Sequence, residues 1–502
     1  VFGVLAQSGW VQPHIDLHAL APEIVVAGLF VVLVVVDLFL EERSKVLLSS
    51  IAGFGLLAAF VPVLTLALFD DRAISMFGGG YVVDDFSLVL KGLFLLAGYV
   101  VILLSTSYVE EGGYYQGEYY SLLVSSIAGM MMMASSRDLV SMFVALEVLS
   151  IPAYMLAAWR KRDVRSNEAG MKYFLLGVFA SAVMLYGMSL LYGATGSTLF
   201  TTIQEKLAAD GIGSVAALAI VFIVVGFAFK VSAVPFHSWA PDTYEGAPTP
   251  ITAFLSVASK AAGFVALLLL LFVALPAGKD VWQPLFWVLA ALTMTVGNLL
   301  ALRQTNIVRM LAYSSVSQGG FILMPLAVVG QGVETQRESL TAVVTYLIVY
   351  AAMNLGAFAV VLAVARKTRS GEISSYGGLF GYAPGLATLM TGFMAALAGI
   401  PPLGGWIAKF NVFKALLSAG GGWAVALAAI GAVNSVVAFG YYGRILREMW
   451  MKPAPDGDES PVRVPQPLAV ALAITAVSTL AIGVVPQIVL RYGNLAEIIT
   501  GA

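Results

Sequence analysis

Four charged residues of this chain stand inside apolar runs, where charge is costly: Glu147, Lys230, Lys260 and Lys409. Glu147 lies midway along "LVSMFVALEVLSIPAYML", and Lys260 lies between the small-residue stretches "SVAS" and "AAGF". Lys230 precedes Pro235, and Lys409 follows Pro401-Pro402-Leu403-Gly404-Gly405. A proline removes a helical donor and opens the helix. An opened helix at membrane depth is tolerated where it lines a cavity or is buried in protein. One acid and three bases in four apolar runs, two of them broken, make the set a proton relay needs. Such groups titrate, can be bridged by water, and act on one another's charge. His237, in "VPFHSWAPDTYEG", joins the set because imidazole exchanges protons near neutral pH. Asn298, Ser314, Ser315, Ser317, Asn354 and Asn434 are the polar residues expected to hold the water.

Each of these residues also has a plainer reading. Glu147 can be a structural hydrogen-bonding group, Lys230 a lysine snorkelling to the interface, and His237 a loop anchor. Asp242 and Glu245 read as structural or as a proton entrance. Lys91, Lys172 and Lys414 lie towards span ends and read as snorkelling lysines, and Asp37 as interfacial.

The elements that must position these groups follow from composition. The chain has 502 residues, 60% hydrophobic and 11% charged, against about a quarter charged in soluble proteins. With a mean hydropathy of +0.90, most of its surface must face lipid. It reads as an all-α polytopic membrane protein. Fourteen runs of about 20 residues are long enough to cross a bilayer, from 20–40 to 466–490. The alternation of a membrane barrel is missing. The absence of cysteine excludes disulfides, thiolate zinc sites and cysteine-held iron–sulfur clusters on this chain. No phosphate-binding glycine motif and no basic block for nucleic acid occur, so no cofactor is expected on this chain. His14 and His18 lie in an N-terminal stretch that reads as an amphipathic lead-in rather than a signal peptide.

With the N-terminus placed outside, fifteen of the 27 lysines and arginines fall in connections on the inner side, from Arg43 and Lys45 to Arg463. Six fall on the other: Arg72, Arg137, Lys206, Lys279, Arg337 and Arg491. This bias predicts both termini outside. The broken runs at 212–236 and 385–418 lie five spans apart, which suggests two inverted five-helix repeats. The expected divisions are 1–118 for the lead-in and spans 1–3, 119–275 for spans 4–8, 282–449 for spans 9–13, and 450–502 for a cytoplasmic loop and span 14.

"FKVSAVPFHSWAPDTYEGAPTPITAFLSVASKAAGF", "NIVRMLAYSSVSQGGFIL" and "LAGIPPLGGWIAKFNVF" resemble the antiporter-like proton-channel subunits of respiratory complex I, NADH-quinone oxidoreductase, and among them the N-type chains. The similarity is strong over spans 4 to 13 and rests on topology at the ends. M-type chains carry a glutamate where Lys409 stands, and L-type chains add a long lateral helix, whereas this chain ends after span 14. The resemblance implies that Glu147 pairs with Lys230 on the cytoplasmic half, that Lys260 is the central relay, and that Lys409 is the exit-side relay. It implies other membrane subunits as partners, antiporter-like neighbours and small subunits alike. FMN, iron–sulfur clusters, NADH and quinone would be handled by partner subunits, and the setting would be the bacterial plasma membrane. Two other classes remain open on the residues alone. One is a subunit of a multi-subunit sodium/proton antiporter, which the neighbouring genes would reveal. The other is a non-conducting membrane scaffold, which would tolerate neutral residues at the buried lysines.

Overall fold

The structure is a computed structural model, and it describes residues 15–41, 45–69, 72–114, 116–329, 332–455 and 457–490. The lead-in with His14, and the loop residues Arg43 and Arg491, lie outside these. The chain runs as α1 Ala21–Phe39, α2 Leu47–Phe69, α3 Asp85–Glu111, α4 Gly117–Ser135, α5 Leu139–Ala157 and α6 Val164–Thr195. It continues with α7 Phe200–Asp210, α8 Ser214–Lys230, α9 Trp239–Gly246, α10 Thr249–Ala274, α11 Lys279–Leu302, α12 Ile307–Leu323 and α13 Val333–Thr368. The last elements are α14 Pro384–Ala398, α15 Gly404–Ala419, α16 Gly421–Met451 and α17 Gln466–Val484. Among the described residues, eleven helices are long and apolar enough to cross a membrane, and α8 and α14 are shorter apolar helices.

Polar residues at the helix starts fix several boundaries. The Asp84 side chain accepts from the Ser87 amide while Ser87 takes the Asp84 amide, satisfying two otherwise orphaned donors of α3. Asp138 caps α5 and Asn306 caps α12 in the same sense. The all-helical expectation misses one feature: a small antiparallel hairpin, β1 Ile74–Met76 with β2 Tyr81–Val83, covers the start of α3.

Burial is graded from the centre outwards. Most of the 307–328 segment, of α10 and of α13 is buried, with Arg309 partly exposed near the start of α12, whereas α1 and α16 are largely exposed. An apolar helix that exposes most of its surface is stable only against lipid or another apolar partner.

The two helix breaks fall where the prolines predict. The first separates α8 from α9 at 231–238, and the second separates α14 from α15 at 399–403. The Trp239 indole donates to the Phe229 carbonyl at 3.0 Å across the first break. The Val234 amide donates to Thr293 Oγ1 at 2.9 Å. Backbone groups freed by the break are thus paired inside protein, as water-free surroundings require. Ser232 within it holds a left-handed φ of 58° and is fully buried, an uncommon state for a residue other than glycine.

Candidate functional site

Lys230 ends α8, and its ammonium donates to Ser150 Oγ at 2.8 Å. Ser150 lies one helical turn beyond Glu147 on α5. Glu147 is close enough to act electrostatically on Lys230, yet no ion pair joins them, and its Oε1 is buried without a hydrogen-bond partner. The pairing that the resemblance implies is present here as electrostatic proximity without a direct ion pair, and the ammonium is held by Ser150. The stem of Lys230 lies across Gly263 of α10, where a Cβ would sit 3.0 Å from Lys230 Cγ.

Lys260 follows Gly263 backwards by one turn on the same helix. Its ammonium donates to the Ser315 carbonyl at 2.8 Å and to Ser315 Oγ at 2.6 Å. Residues Leu255–Ser259, immediately before it, form a π-helical turn. Such turns leave a carbonyl without its usual partner and recur at functional sites. Ser256 in this turn accepts from Asn354 at 2.8 Å.

Lys409 lies on α15 but reaches back across the second break to donate to the Ala398 carbonyl, the last of α14, at 2.8 Å. The ammonium also lies 4.8 Å from the centre of the Phe321 ring. Lys230 ends the half-helix before its break, whereas Lys409 stands on the half-helix after its break. The Lys409 ammonium therefore sits at the carboxyl end of α14, where the backbone dipole favours a cation.

Lys260 and Lys409 are joined through α12. Gln318, one turn beyond Ser315, donates to the Leu397 carbonyl at 3.0 Å and to Tyr442 Oη at 3.1 Å. Tyr346 donates to Gln318 Oε1, and Ser314 meets Tyr442 at 2.6 Å. Leu397 adjoins Ala398, the acceptor of Lys409. Asn298 bonds Asn434 at 3.0 Å and accepts from Tyr441 at 3.0 Å. Of the polar residues picked from sequence, Ser315 holds a relay lysine, Asn298 and Asn434 hold each other, and Ser314 and Asn354 bond Tyr442 and Ser256. Gln318, Tyr346, Tyr441, Tyr442 and Ser150 were not picked. The available signal was uncharged polar side chains in spans, with "YY" at 441–442 the plainest.

His237 lies within the first break, between the end of α8 and the start of α9. Its Nδ1 is buried without a partner, and its ring lies 6.4 Å from that of Tyr313. Asp242 and Glu245 on α9 are tied down. Arg309 meets Asp242 at 2.8 Å and Glu245 at 3.0 Å, and Lys172 meets Asp242 at 2.8 Å. Lys172 and Lys414 are partly exposed, and Lys414 pairs with Glu338 at 2.9 Å. Lys91 does not snorkel. It is fully buried and 2.8 Å from Glu23.

A membrane helix bundle with two broken helices and a line of buried amines between them defines the class to which this chain is similar. The model of the NADH:quinone oxidoreductase/Mrp antiporter membrane family matches residues 136–435, and the chain belongs to that family. Its relatives include NADH-quinone oxidoreductase subunit N of Trichlorobacter lovleyi, 40% identical over 96% of this chain and 97% of that one. Respiratory complex I of Thermus thermophilus contains a similar chain, at 31% identity, with a TM-score of 0.76, covering 94% of this chain and 98% of that one. A chain of the Mrp complex from a Dietzia species shares the fold, with a TM-score of 0.85 at 22% identity over 97% of this chain and 98% of that one.

Proposed function

We propose that this chain is the N-type, proton-translocating membrane subunit of an NADH–quinone oxidoreductase. One observation carries the reading. Among the described residues, Lys230, Lys260 and Lys409 are buried yet bonded only to neutral oxygens: a serine hydroxyl, a serine hydroxyl with its carbonyl, and a helix-end carbonyl. Lysines that merely hold helices together are paired with carboxylates here, as Lys172 and Lys414 are. An ammonium hydrogen-bonded only to neutral acceptors can lose its proton without breaking a direct ion pair.

The proton route then runs from Glu147 past Ser150 to Lys230, on to Lys260, and through Ser315, Gln318 and Tyr442 to Lys409. His237 is a side group of this route at the first break. The stem of Lys230 lies against Gly263, one turn from Lys260 on α10, and water must carry the proton between the two ammonium groups. The chain crosses the membrane fourteen times in this reading, with α4 and each broken pair counted as crossings. Spans 4–8 and 9–13 form inverted repeats. Both termini lie outside, and the membrane is a bacterial plasma membrane. FMN, iron–sulfur clusters, NADH and quinone belong to partner subunits, whose redox work drives the relay.

The test is Lys260→Met in the assembled complex, reconstituted in vesicles. Quinone reduction and proton uptake are measured together. The expected outcome is assembly with proton transport lost by about tenfold or more, in keeping with the loss of a proton-transfer group. Normal pumping by this variant refutes the relay.

A further inference from the structure

A second acid–base pair lies outside both proposed repeats and outside the region matched by the family model. Glu23 of α1 and Lys91 of α3 meet at 2.8 Å, and Tyr81 of β2 lies 3.4 Å from the same ammonium. Beside the pair is a cavity of about 570 Å³, lined by Glu23, Tyr81, Ser136, Asp138 and Ser141 together with the glycines of the hairpin. It lies on the face opposite the basic loops, next to the exposed Phe77. At ~30 Å³ per molecule it has room for on the order of twenty waters.

A neighbouring pair shows what a purely structural ion pair looks like on this face. Asp84 and Arg137 meet at 2.6 Å, Asp84 also caps α3, and Arg137 donates to the carbonyls of Ala134 and Ser136. Every group there is satisfied. Glu23 differs: the Lys91 ammonium at 2.8 Å and the nearby Tyr81 hydroxyl are its partners, and its two buried oxygens have no further hydrogen bond. A buried carboxylate left so costs free energy unless something else serves it. The cavity it lines has apolar walls at Leu20, Phe77, Met132 and Leu199, and a polar side at Tyr81, Ser136, Asp138 and Ser141 where water can reach the carboxylate.

We propose that Glu23 is a proton-exchange group at the floor of a water-filled vestibule open to the outer side, and that Lys91 is the positioning residue that holds it there. This rests on the proton-translocating reading above and adds a second outlet, distinct from Lys409. The step is a simple proton transfer. Glu23 takes a proton as an O–H bond forms on a carboxylate oxygen. That bond then breaks to a cavity water, and the ion pair with Lys91 is restored. No oxidant or other reactant is involved. The vestibule lies towards the Glu147 end of the route, because Ser141 is on α5 six residues before Glu147, or about 9 Å at 1.5 Å per residue.

Three measurements on the assembled complex test this. The chain lacks cysteine, so Ser141→Cys introduces its single thiol. Labelling of this subunit by a membrane-impermeant methanethiosulfonate added from the outer side is expected, and its absence overturns the vestibule. Glu23→Gln is expected to lower proton transport while quinone reduction persists, and Glu23→Asp to retain it; normal transport by Glu23→Gln overturns the outlet. In Glu23→Leu with Lys91→Met the pair is replaced by apolar side chains of similar size. A structural pair predicts restored transport in this double variant, which overturns the proposal, whereas a proton site predicts that transport stays low. Lys260→Met separates the two readings: if it pumps normally, the relay fails, and if it is inactive while Glu23→Gln is normal, only the second outlet fails. Should Glu23→Gln not assemble, the labelling of Ser141→Cys decides.

Discussion

At Lys409 a single hydrogen bond separates two roles for a buried ammonium. The bond to the Ala398 carbonyl requires a donor, whereas relay requires a donor that can also give its proton away. Lys409→Arg keeps a cation and a donor, but guanidinium does not deprotonate in proteins. Lys409→Glu can donate only as the neutral acid, and it can still exchange a proton. Lys409→Leu does neither. The expected order of proton transport is lysine, then glutamate, with arginine and leucine near zero. Equal transport by the arginine variant and the unmodified chain would show that titration at 409 is unnecessary. Gln318→Leu is expected to cut transport by about tenfold, equivalent to ~1.4 kcal/mol in a barrier, because Gln318 is the link between α12 and the end of α14. The lysines were legible in the sequence because charge in an apolar run has few explanations. Gln318, Tyr346 and Tyr442 were not, because an uncharged polar side chain in a span is cheap enough to be structural. Lys91 misled for a third reason: its counter-charge, Glu23, lies on another helix 68 positions away in sequence, and linear spacing says nothing about that.

Among the elements, the breaks were the easiest to read and their far sides the hardest. Prolines at 235, 401 and 402 mark where α8 and α14 must end. The eight residues of α9 include Asp242 and Glu245, so they read as a loop and put His237 after the span. Tertiary contacts make them a helix: Trp239 stacks on Tyr173 with ring centres 4.5 Å apart, and Lys172 and Arg309 hold Asp242. Glycines set how closely the broken helices approach their neighbours. At Gly405 a Cβ would lie 1.7 Å from the Ala396 carbonyl, so Gly405→Ala must push α15 away from α14. Overpacking of this kind costs about 1–3 kcal/mol, and lower thermal stability of the complex is expected. Gly263→Val acts on function instead. Its side chain would collide with the Lys230 stem and with Val231, moving the ammonium off Ser150. Impaired transport with assembly retained is the expected result, and unchanged transport would show that the Lys230 position is not set by this packing.

Across the whole molecule, polarity is sorted in two directions. Radially, the relay lysines are buried whichever helix carries them, and Lys260, Ser315 and Gln318 lie on two of the most buried helices, α10 and α12, while α1, α2, α6, α16 and α17 expose apolar surface. Along the membrane normal, basic residues crowd the connections at one face. The structure sharpens that bias. Arg137, one of the six on the sparse side, is buried against Asp84, and Arg337 lies 3.8 Å from Glu334, so fewer free positive charges remain there than the sequence suggests. On the crowded face, Lys367 binds the 452–465 loop through the carbonyls of Asp458 and Ser460 at 2.9 and 2.6 Å. The backbone and hydroxyl of Ser460 hold the Asp458 carboxyl below its usual range. Lysine and arginine near short loops stay on the cytoplasmic side during insertion, so in the proposed orientation this loop faces inwards and α7 outwards. In a chain without native cysteine, Ser460→Cys is expected to react with an impermeant thiol reagent only in inside-out vesicles, and Lys206→Cys on α7 only in right-side-out ones. These positions tolerate the change because Ser460 and Lys206 are exposed. Labelling in the reverse pattern would invert the molecule. The Lys409 end of the route would then face the cytoplasm, Glu23 and its cavity would open inwards, and both proposed outlets would have to be read as entrances.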